Sequence, residues 1–379
     1  MLLAMLNRLL SGLGRFSSDG CVVATDSKLH VCYLLERLDM SGTASRVVAL
    51  CNNLDSTTIM ASCISLGPRS PLVVERLEPR VQAFGLWGPP SIAVQIPRVA
   101  QLLRRYRVDV LHVMASSTSP SSAALVVGAA AAWIAGSRAV YSGPLSGSAA
   151  QRLALRLCSR VVVSDEEQRH RALSLRIESD SVRLIPVGVD TVRFHPVRSP
   201  QDSGSRPLVL GSLDSAAAEL VVQVVTGLCQ AGLPARGLVR SRDPALPADV
   251  SNLPLHRDVA PFLGAMDLYL STRRGSSQAV LEAMACGVGI IATAPTDLVE
   301  SGTGILLDTT GEADLAPRVA RAVQTMPPGQ SEAMGHAARR LVERRFPMPA
   351  VVAAHEDLYR ALARPPVRRS LLFDKSSHS

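Results

Sequence analysis

Short apolar runs rich in β-branched residues alternate with helix-like stretches along most of this 379-residue chain. Such runs are typical of buried strands, and the 3.6-residue apolar period at 96–106 is typical of an amphipathic helix. In the first half, the predicted strands are 29–35, 58–66, 81–84, 109–114, 139–141, 160–164 and 182–186. Strands that alternate with helices form parallel sheets covered on both faces, so this alternation predicts an α/β fold.

The alternation stops once and then begins again. Residues 198–207 read RSPQDSGSRP, a composition typical of an interdomain linker. Beyond it, the predicted strands are 208–211, 237–240, 268–271, 289–292 and 304–307, and the main predicted helices are 216–231, 279–286, 315–323 and 331–346. The chain is therefore expected to hold two α/β domains.

Composition excludes several classes of protein. Hydrophobic residues make up 47% and charged residues 19%, which is ample for packed cores. Aromatic residues make up only 3%, which argues against a base-stacking nucleic-acid binder. The seven cysteines are scattered and form no C-x-x-C, which excludes a disulfide scaffold and a zinc ribbon. A reducing, cytoplasmic location and no nucleic-acid partner are expected.

No segment of the sequence is a convincing membrane span. The longest apolar run, 123–135, is too short and is predicted to be a buried core helix. The N-terminal segment is apolar with Arg8 and Arg15, and three interpretations stay open: a non-structural extension, a helix that touches the membrane surface, or a targeting segment.

Positive charge is concentrated in the first half of the chain. The net charge is +8, and residues 1–197 carry 21 Lys and Arg against 14 Asp and Glu, a difference of +7. Two interpretations remain: attraction for an anionic acceptor or membrane surface, or an ordinary solvated surface. The first would place the protein peripherally at the inner face of a membrane.

Three segments carry recognisable motifs. Residues 182–196 are VRLIPVGVDTVRFHP, a strand followed by a Pro-x-Gly turn and Phe-x-Pro. Residues 258–287 place a small-residue loop before a helix that ends in LEAMACG. Residues 289–307 hold two strands around a loop with Glu300.

At these residues the chain resembles the retaining, GT-B-fold glycosyltransferases of family 4. RLDMSGTASRVVAL at 37–50 and DVLHVM at 109–114 extend the resemblance, which covers about 30–345. It implies two Rossmann-like parallel-sheet domains that face a central cleft. It also implies transfer of a sugar, with retention, from a nucleotide-sugar to a glycan or lipid-linked acceptor, as in polysaccharide biosynthesis. No cofactor and no metal are implied, and the sequence has no Asp-x-Asp.

The expected organisation follows from this resemblance and from the pattern of the elements. It comprises an N-terminal extension at 1–28, a Rossmann-like acceptor domain at 29–197, a linker at 198–206, a Rossmann-like nucleotide-sugar domain at 207–345, a C-terminal helix at 346–365 and a flexible tail at 366–379. A return of the C-terminal helix to the first domain is left open.

The donor is expected at the start of the helix 279–286. Backbone N–H groups and the helix dipole at such a terminus bind phosphate. Glu282, one turn into the helix, can accept two ribose hydroxyls. The donor-binding candidates are Arg273, Gly275, Ser276, Ser277, Gln278, Val280 and Glu282. Gly42 is either a second close approach for phosphate or an ordinary turn glycine.

The sequence departs from the family at its charged positions. The first Glu of the family's Glu-x7-Glu is Arg274, and the family's diphosphate-binding Arg and Lys correspond to Ser212 and about Ala217. No lysine occurs between Lys28 and Lys375. The family's diphosphate-binding lysine is therefore absent from this chain and has not moved to a nearby position. Loss of one preorganised donor costs about 10²–10³ in rate.

Other departures are uncharged or lie outside the donor helix. Val187 replaces the Asn of Pro-Asn-Gly, RSRDP at 240–244 replaces Gly-x-Gly, and Tyr-Ser-Gly at 141–143 replaces a common His. Arg274, with Arg273 beside it, is the first candidate for a substitute catalytic cation.

Weaker candidates complete the catalytic set. Arg240 and Arg242 are further substitute cations. His112 is a catalytic candidate whose structural alternative is a hydrogen-bonded core histidine. Cys286 is expected to be a small core residue.

Two further functions are weighed against an active enzyme. A pseudo-glycosyltransferase with the same fold would bind or scaffold without turnover. A GT-B-like epimerase or phosphorylase is more distant, and no residue supports it.

Overall fold

The computed structural model describes residues 28–39, 41–86, 91–116, 122–197, 206–241, 245–253, 258–272, 277–300, 302–307 and 314–363. Nearly all of the predicted N-terminal extension and of the predicted linker, and the whole predicted tail, lie outside these residues.

The first domain is built on a seven-stranded sheet. Its strands are β1 (Leu29–Leu35), β2 (Ile59–Ser65), β3 (Gln82–Gly85), β4 (Val110–Met114), β5 (Arg138–Ser142), β6 (Arg160–Val163) and β7 (Val182–Leu184). Their order is β3-β2-β1-β4-β5-β6-β7, and every pair is parallel. Its helices are α1 (Gly42–Asn53), α2 (Pro71–Val74), α3 (Ile92–Arg105), α4 (Ala123–Ala135), α5 (Ala149–Leu155) and α6 (Glu166–Ser174).

The second domain repeats this design with six strands. They are β8 (Leu208–Ser212), β9 (Ala235–Val239), β10 (Val250–Asn252), β11 (Leu268–Ser271), β12 (Gly289–Ala292) and β13 (Gly304–Leu306). Their order is β10-β9-β8-β11-β12-β13, again all parallel. Its helices are α7 (Ala218–Gln230), α8 (Ala260–Gly264), α9 (Gln278–Ala285), α10 (Leu315–Gln324) and α11 (Gln330–Arg345), and one more helix, α12 (Met348–Ala363), follows it.

The central strands of each sheet are buried on both faces, so they are nearly continuous apolar runs. Along β1, Val31, Tyr33 and Leu35 enter the core that contains residues of α1 and α12, whereas Cys32 and Leu34 enter the core that contains residues of α3 and α4. Successive side chains of a strand point to opposite faces, so one strand supports both cores.

Helix α4 is the buried apolar helix that the sequence predicts. A Cβ at Gly128 would come within 2.4 Å of Val113 Cγ2 on β4 and within 2.8 Å of Leu34 Cδ2 on β1. The glycine therefore permits close contact between helix and sheet.

No helix in the described part of the chain combines the length and apolarity needed to cross a membrane.

Helix α12 follows the second domain in sequence but packs on the first. The Tyr359 and Tyr33 hydroxyls are 3.0 Å apart, and Val351 and Leu358 share a core with residues of β1 and α1. The connection to α12 passes the domain junction, where Val189 pairs with Pro347. The last helix thus fastens the two domains together.

The predicted α/β class is confirmed, and several elements match residue for residue. Strands 29–35, 268–271 and 289–292 and helix 123–135 have the predicted bounds. Strand β10 was missed because it is a three-residue edge strand whose residues 251 and 252 are polar and exposed. Such a strand lacks the apolar run on which the prediction depends.

Candidate active site

The strand order of each sheet creates a crevice, and both crevices open into one cleft. The order changes direction between β1 and β4 in the first sheet and between β8 and β11 in the second. Ligands of parallel α/β sheets bind at the carboxyl ends of strands beside such points. Gly42 after β1, Ser116 after β4, Asp214 after β8 and Ser271 at the end of β11 all line the cleft.

The cleft is large enough for a nucleotide-sugar. Its volume is about 1040 Å³, and both domains contribute to its walls. Polar side chains on the first domain's wall include Ser41, Arg76, Gln168, His170 and Arg171, and those on the second domain's wall include Asp214, Arg240, Tyr269, Ser277, Gln278 and Glu282.

Glu282 lies on α9 and is buried, with 4% of its surface exposed. A glutamate on a helix is ordinarily exposed to solvent, and Glu282 is not. The Gln278 Nε2 donates a hydrogen bond of 3.0 Å to Glu282 Oε1, one helical turn away. Burial raises the pKa of Glu282 to about 7, although the Gln278 hydrogen bond and the charges of Arg193 and Arg240 oppose this. The hydrogen bond from Gln278 therefore holds one oxygen of the Glu282 carboxyl group, and Glu282 lines the cleft.

The other atoms of the α9 start are disposed for a ligand. Ser277 is the N-cap of α9, and its side chain makes no capping hydrogen bond. The Gln278 Oε1 is buried without a partner among the described residues. Val280 is buried in the second domain's core, so its side chain packs under the site. An N-terminus with free N–H groups and an unused acceptor can bind a polar anionic ligand.

Five predicted donor-binding or catalytic residues lie outside the described residues: Arg242, Arg273, Arg274, Gly275 and Ser276. Their roles stay predictions.

Gly42 brings the start of α1 close to the start of α9. A Cβ at Gly42 would lie 3.4 Å from Gln278 Cβ, an ordinary contact distance. Ser41 caps α1 by accepting from Ala44 N at 3.4 Å. The two helix N-termini therefore face the cleft from opposite domains, which is compatible with either interpretation of Gly42.

No cation occupies the positions where the family has its diphosphate-binding Arg and Lys. Ser212 and Ala217 are both fully buried. Leu213 N donates to the Tyr269 hydroxyl at 3.2 Å, so this loop is fixed to β11. The sequence does not single out Tyr269, because an aromatic residue within an apolar strand is typical of a buried core position.

His112 lies away from the cleft, and its contacts support the structural interpretation over the catalytic one. It is fully buried, with Nδ1 2.7 Å from the Tyr359 hydroxyl and Nε2 2.7 Å from Ser142 Oγ. Burial holds its pKa well below the ordinary value. Both ring nitrogens have protein partners, which favours the hydrogen-bonded core histidine: His112 joins β4 to β5 and α12.

Residues 189–194, at the domain junction, help to position α9. Asp190 Oδ1 accepts from Val192 N and Arg193 N at 3.0 Å each, which closes a tight turn. Arg339 on α11 donates to the carbonyls of Thr191, Phe194 and Ala285. Since Ala285 ends α9, the helix that carries Glu282 is tied to the interdomain crossing.

Within the described residues, no group of three or more His, Cys, Asp and Glu side chains is arranged to hold a metal ion.

Two family models match the chain, one for each domain. The model described as Glycosyltransferase Family 4 matches residues 30–193, and the model described as Glycosyl transferases group 1 matches residues 213–325. No curated protein sequence matches significantly.

Solved structures match both domains at once. HepE from Anabaena in complex with UDP-glucose is 18% identical with a TM-score of 0.67, and the match covers 88% of this chain and all of that one. A glycosyltransferase from Rickettsia africae is 14% identical with a TM-score of 0.65, covering 89% of this chain and all of that one. An O-GlcNAc transferase from Thermobaculum terrenum is 17% identical with a TM-score of 0.57, covering 89% of this chain and 68% of that one.

At these identities the structures establish the fold, which is GT-B. The two glycosyltransferase domain models, matched in this order along a chain with this fold, support a family 4-like glycosyltransferase.

Proposed function

We propose that the protein transfers a sugar from a nucleotide-sugar donor to a glycan or lipid-linked acceptor, with retention of configuration. The observation that carries this proposal is the buried Glu282 on α9, facing the interdomain cleft beside the unpartnered Gln278 Oε1. Vicinal hydroxyls of a ribose would donate to these two acceptors.

The donor would extend from this ribose site over the start of α9. The N–H groups and the positive dipole end there favour a diphosphate. HepE, which shares the fold, is described in complexes with UDP and with UDP-glucose. This supports a nucleotide-sugar as the co-substrate, with no separate cofactor.

In the proposed reaction the bond between the anomeric carbon and the diphosphate oxygen breaks, and its electron pair stays on the diphosphate. The acceptor oxygen forms the new bond to the anomeric carbon on the same face, and its proton passes to the released diphosphate. Groups that stabilise the leaving diphosphate are therefore the main catalytic requirement. Arg274, next to the donor loop, is proposed as one of them, and no metal is included.

The acceptor is assigned to the first domain's wall. Arg76, His170 and Arg171 line the cleft there, and the first half of the chain carries the excess of positive charge, +7 of +8. An anionic, lipid-linked acceptor would suit this charge, with the protein in the cytoplasm at the inner face of a membrane. This location and a role in polysaccharide synthesis are parts of the proposal.

Calorimetric titration of the full chain with UDP, GDP, ADP and CDP tests donor binding. We expect one nucleoside diphosphate to bind and Glu282→Gln to weaken it about tenfold or more, because a buried polar contact is lost. Glu219→Gln, the same change at an exposed helical position, should leave binding unchanged. Binding of none of the four would refute the proposal.

Turnover is tested separately with nucleotide-sugars of the base that binds. Release of the diphosphate in the presence of acceptor, with the anomeric configuration of the product read by NMR, should show retention. An inverted product would refute the retaining part alone.

A second function has one structural observation in its favour. The positions of the family's Arg and Lys hold the buried Ser212 and Ala217, so the usual cations are missing. Nucleotide binding without turnover against a full donor panel would favour a pseudo-glycosyltransferase that binds or scaffolds a partner.

A further inference from the structure

Arg240 lies beside the position of the missing family arginine. It follows β9, which pairs with β8 so that Ser212 is opposite Val239. The Arg240 backbone N–H donates to the Ser212 carbonyl oxygen at 3.3 Å. Arg240, just after β9, therefore lies next to the position at the end of β8 where the family has its arginine.

The Arg240 guanidinium has buried donors that nothing satisfies. Its Nε and Nη2 are both buried and have no hydrogen-bond partner among the described residues. Burial lowers the pKa of Arg240, with Tyr269 and Glu282 opposing the shift. Buried, unpaired donors on a charged group are costly, and a bound anion that accepts from them would remove this cost.

The two unsatisfied nitrogens define the kind of ligand. Nε and Nη2 form one edge of the planar guanidinium, and this edge pairs with two oxygens of a phosphate or carboxylate. Arg240 and Glu282 line the same cleft, and the charge of Glu282 acts on the Arg240 guanidinium. A nucleoside diphosphate carries hydroxyls for Glu282 and phosphate oxygens for Arg240 on one molecule.

We propose that Arg240 binds the diphosphate of the nucleotide-sugar and supplies, from β9, the positive charge that Ser212 no longer supplies from β8. This inference rests on the proposed function. It makes Arg240 a donor-binding residue that also stabilises the leaving diphosphate.

The test compares a nucleoside diphosphate with its nucleoside. After titration with UDP, GDP, ADP and CDP identifies the base, the diphosphate, the monophosphate and the nucleoside are each titrated into wild type, Arg240→Met and Arg236→Met. Arg236 is an exposed arginine on the same strand, so its loss controls for charge. We expect Arg240→Met to weaken the diphosphate about 10- to 100-fold and leave the nucleoside unchanged. Arg236→Met should change neither.

A second readout separates ligand binding from a structural role. Without ligand, Arg240→Met should melt at the same temperature as wild type or higher, because it removes unpaired buried donors. Arg240→Lys, which keeps the charge but lacks the two-nitrogen edge, should recover only part of the diphosphate affinity.

Three outcomes would overturn the inference. If Arg240→Met preferred the diphosphate over the nucleoside as strongly as wild type does, the inference would be overturned and the proposed function would stay intact. If Arg240→Met bound the nucleoside and the diphosphate more tightly than wild type by the same factor, Arg240 would be shown to fill the site without binding the anion. Failure of wild type to bind any of the four diphosphates would remove both this inference and the proposed function.

Discussion

Burial sets the properties of the decisive side chains in this protein. Glu282 and His112 are both ionisable, and both are shifted toward their neutral forms by removal from water. They differ in what remains free: Glu282 faces a cleft, whereas His112 uses both ring nitrogens within the first domain. A free, shifted group facing a cavity is the one that suits ligand binding.

Replacement of Glu282 by Gln should change how stability depends on pH. The folded pKa of about 7 lies above the ordinary value of 4.5, so the folded state holds the proton over this interval and the unfolded state does not. Wild-type stability therefore contains a contribution that is lost as pH rises from 4.5 to about 7, by about 2–3 kcal/mol. Urea unfolding across this range should show a smaller decline in Glu282→Gln, and an identical decline would contradict the shifted pKa.

Replacement of His112 by Ala should act on stability and not on chemistry. It leaves the Ser142 hydroxyl without its partner and removes one from the Tyr359 hydroxyl, so the unfolding free energy should fall by about 2–4 kcal/mol. His336→Ala, at an exposed position on α11, should have little effect. A large loss of kcat in a variant of unchanged stability would restore the catalytic interpretation.

Helix α11 packs closely against the end of α9 because position 335 is a glycine. It crosses the turn between α9 and β12, where a Cβ at Gly335 would lie 1.9 Å from the Gly287 carbonyl oxygen. Gly287 itself has φ of +75°, a conformation that favours glycine. Two glycines therefore let α11 approach the end of the donor helix α9.

Alanine at two helical glycines should have opposite effects. Gly335→Ala meets the Gly287 carbonyl and should cost about 2–4 kcal/mol, because the backbone must move. Gly227→Ala in α7 meets nothing within 4 Å and should stabilise by about 0.5–1 kcal/mol. Chemical unfolding of both variants measures the pair. Equal effects would show that α11 does not pack as described.

The whole molecule is held in its two-domain arrangement by crossings of the chain between the sheets. The junction after β7 and helix α12 meet at the pairing of Val189 with Pro347, and Arg339 joins the junction to α9. The site lies between the domains, so these crossings set the separation of its two walls.

Replacement of Arg339 by Met should loosen this arrangement. Three backbone carbonyls would lose a charged donor, so the unfolding free energy should fall by about 2–3 kcal/mol, and donor affinity should fall with it. Arg340→Met, at the exposed neighbouring position, is the control. Unchanged donor affinity in Arg339→Met would show that the junction does not position α9.

Sequence alone is enough to predict the two α/β domains, the place of the donor helix and the candidate Glu282. These depend on local signals: apolar runs, a linker composition and a motif read along one strand and helix. The same sequence names His112 and Arg240 as candidates but does not decide between their alternative roles, since both depend on residues far away in the chain. Tyr359 lies 247 residues from His112, and Ser212 reaches Arg240 only because β8 and β9 are neighbours in the sheet. Burial and pairing across strands are properties of the packed molecule, so the three-dimensional structure is needed to see which charged side chains the protein satisfies and which it leaves for a ligand.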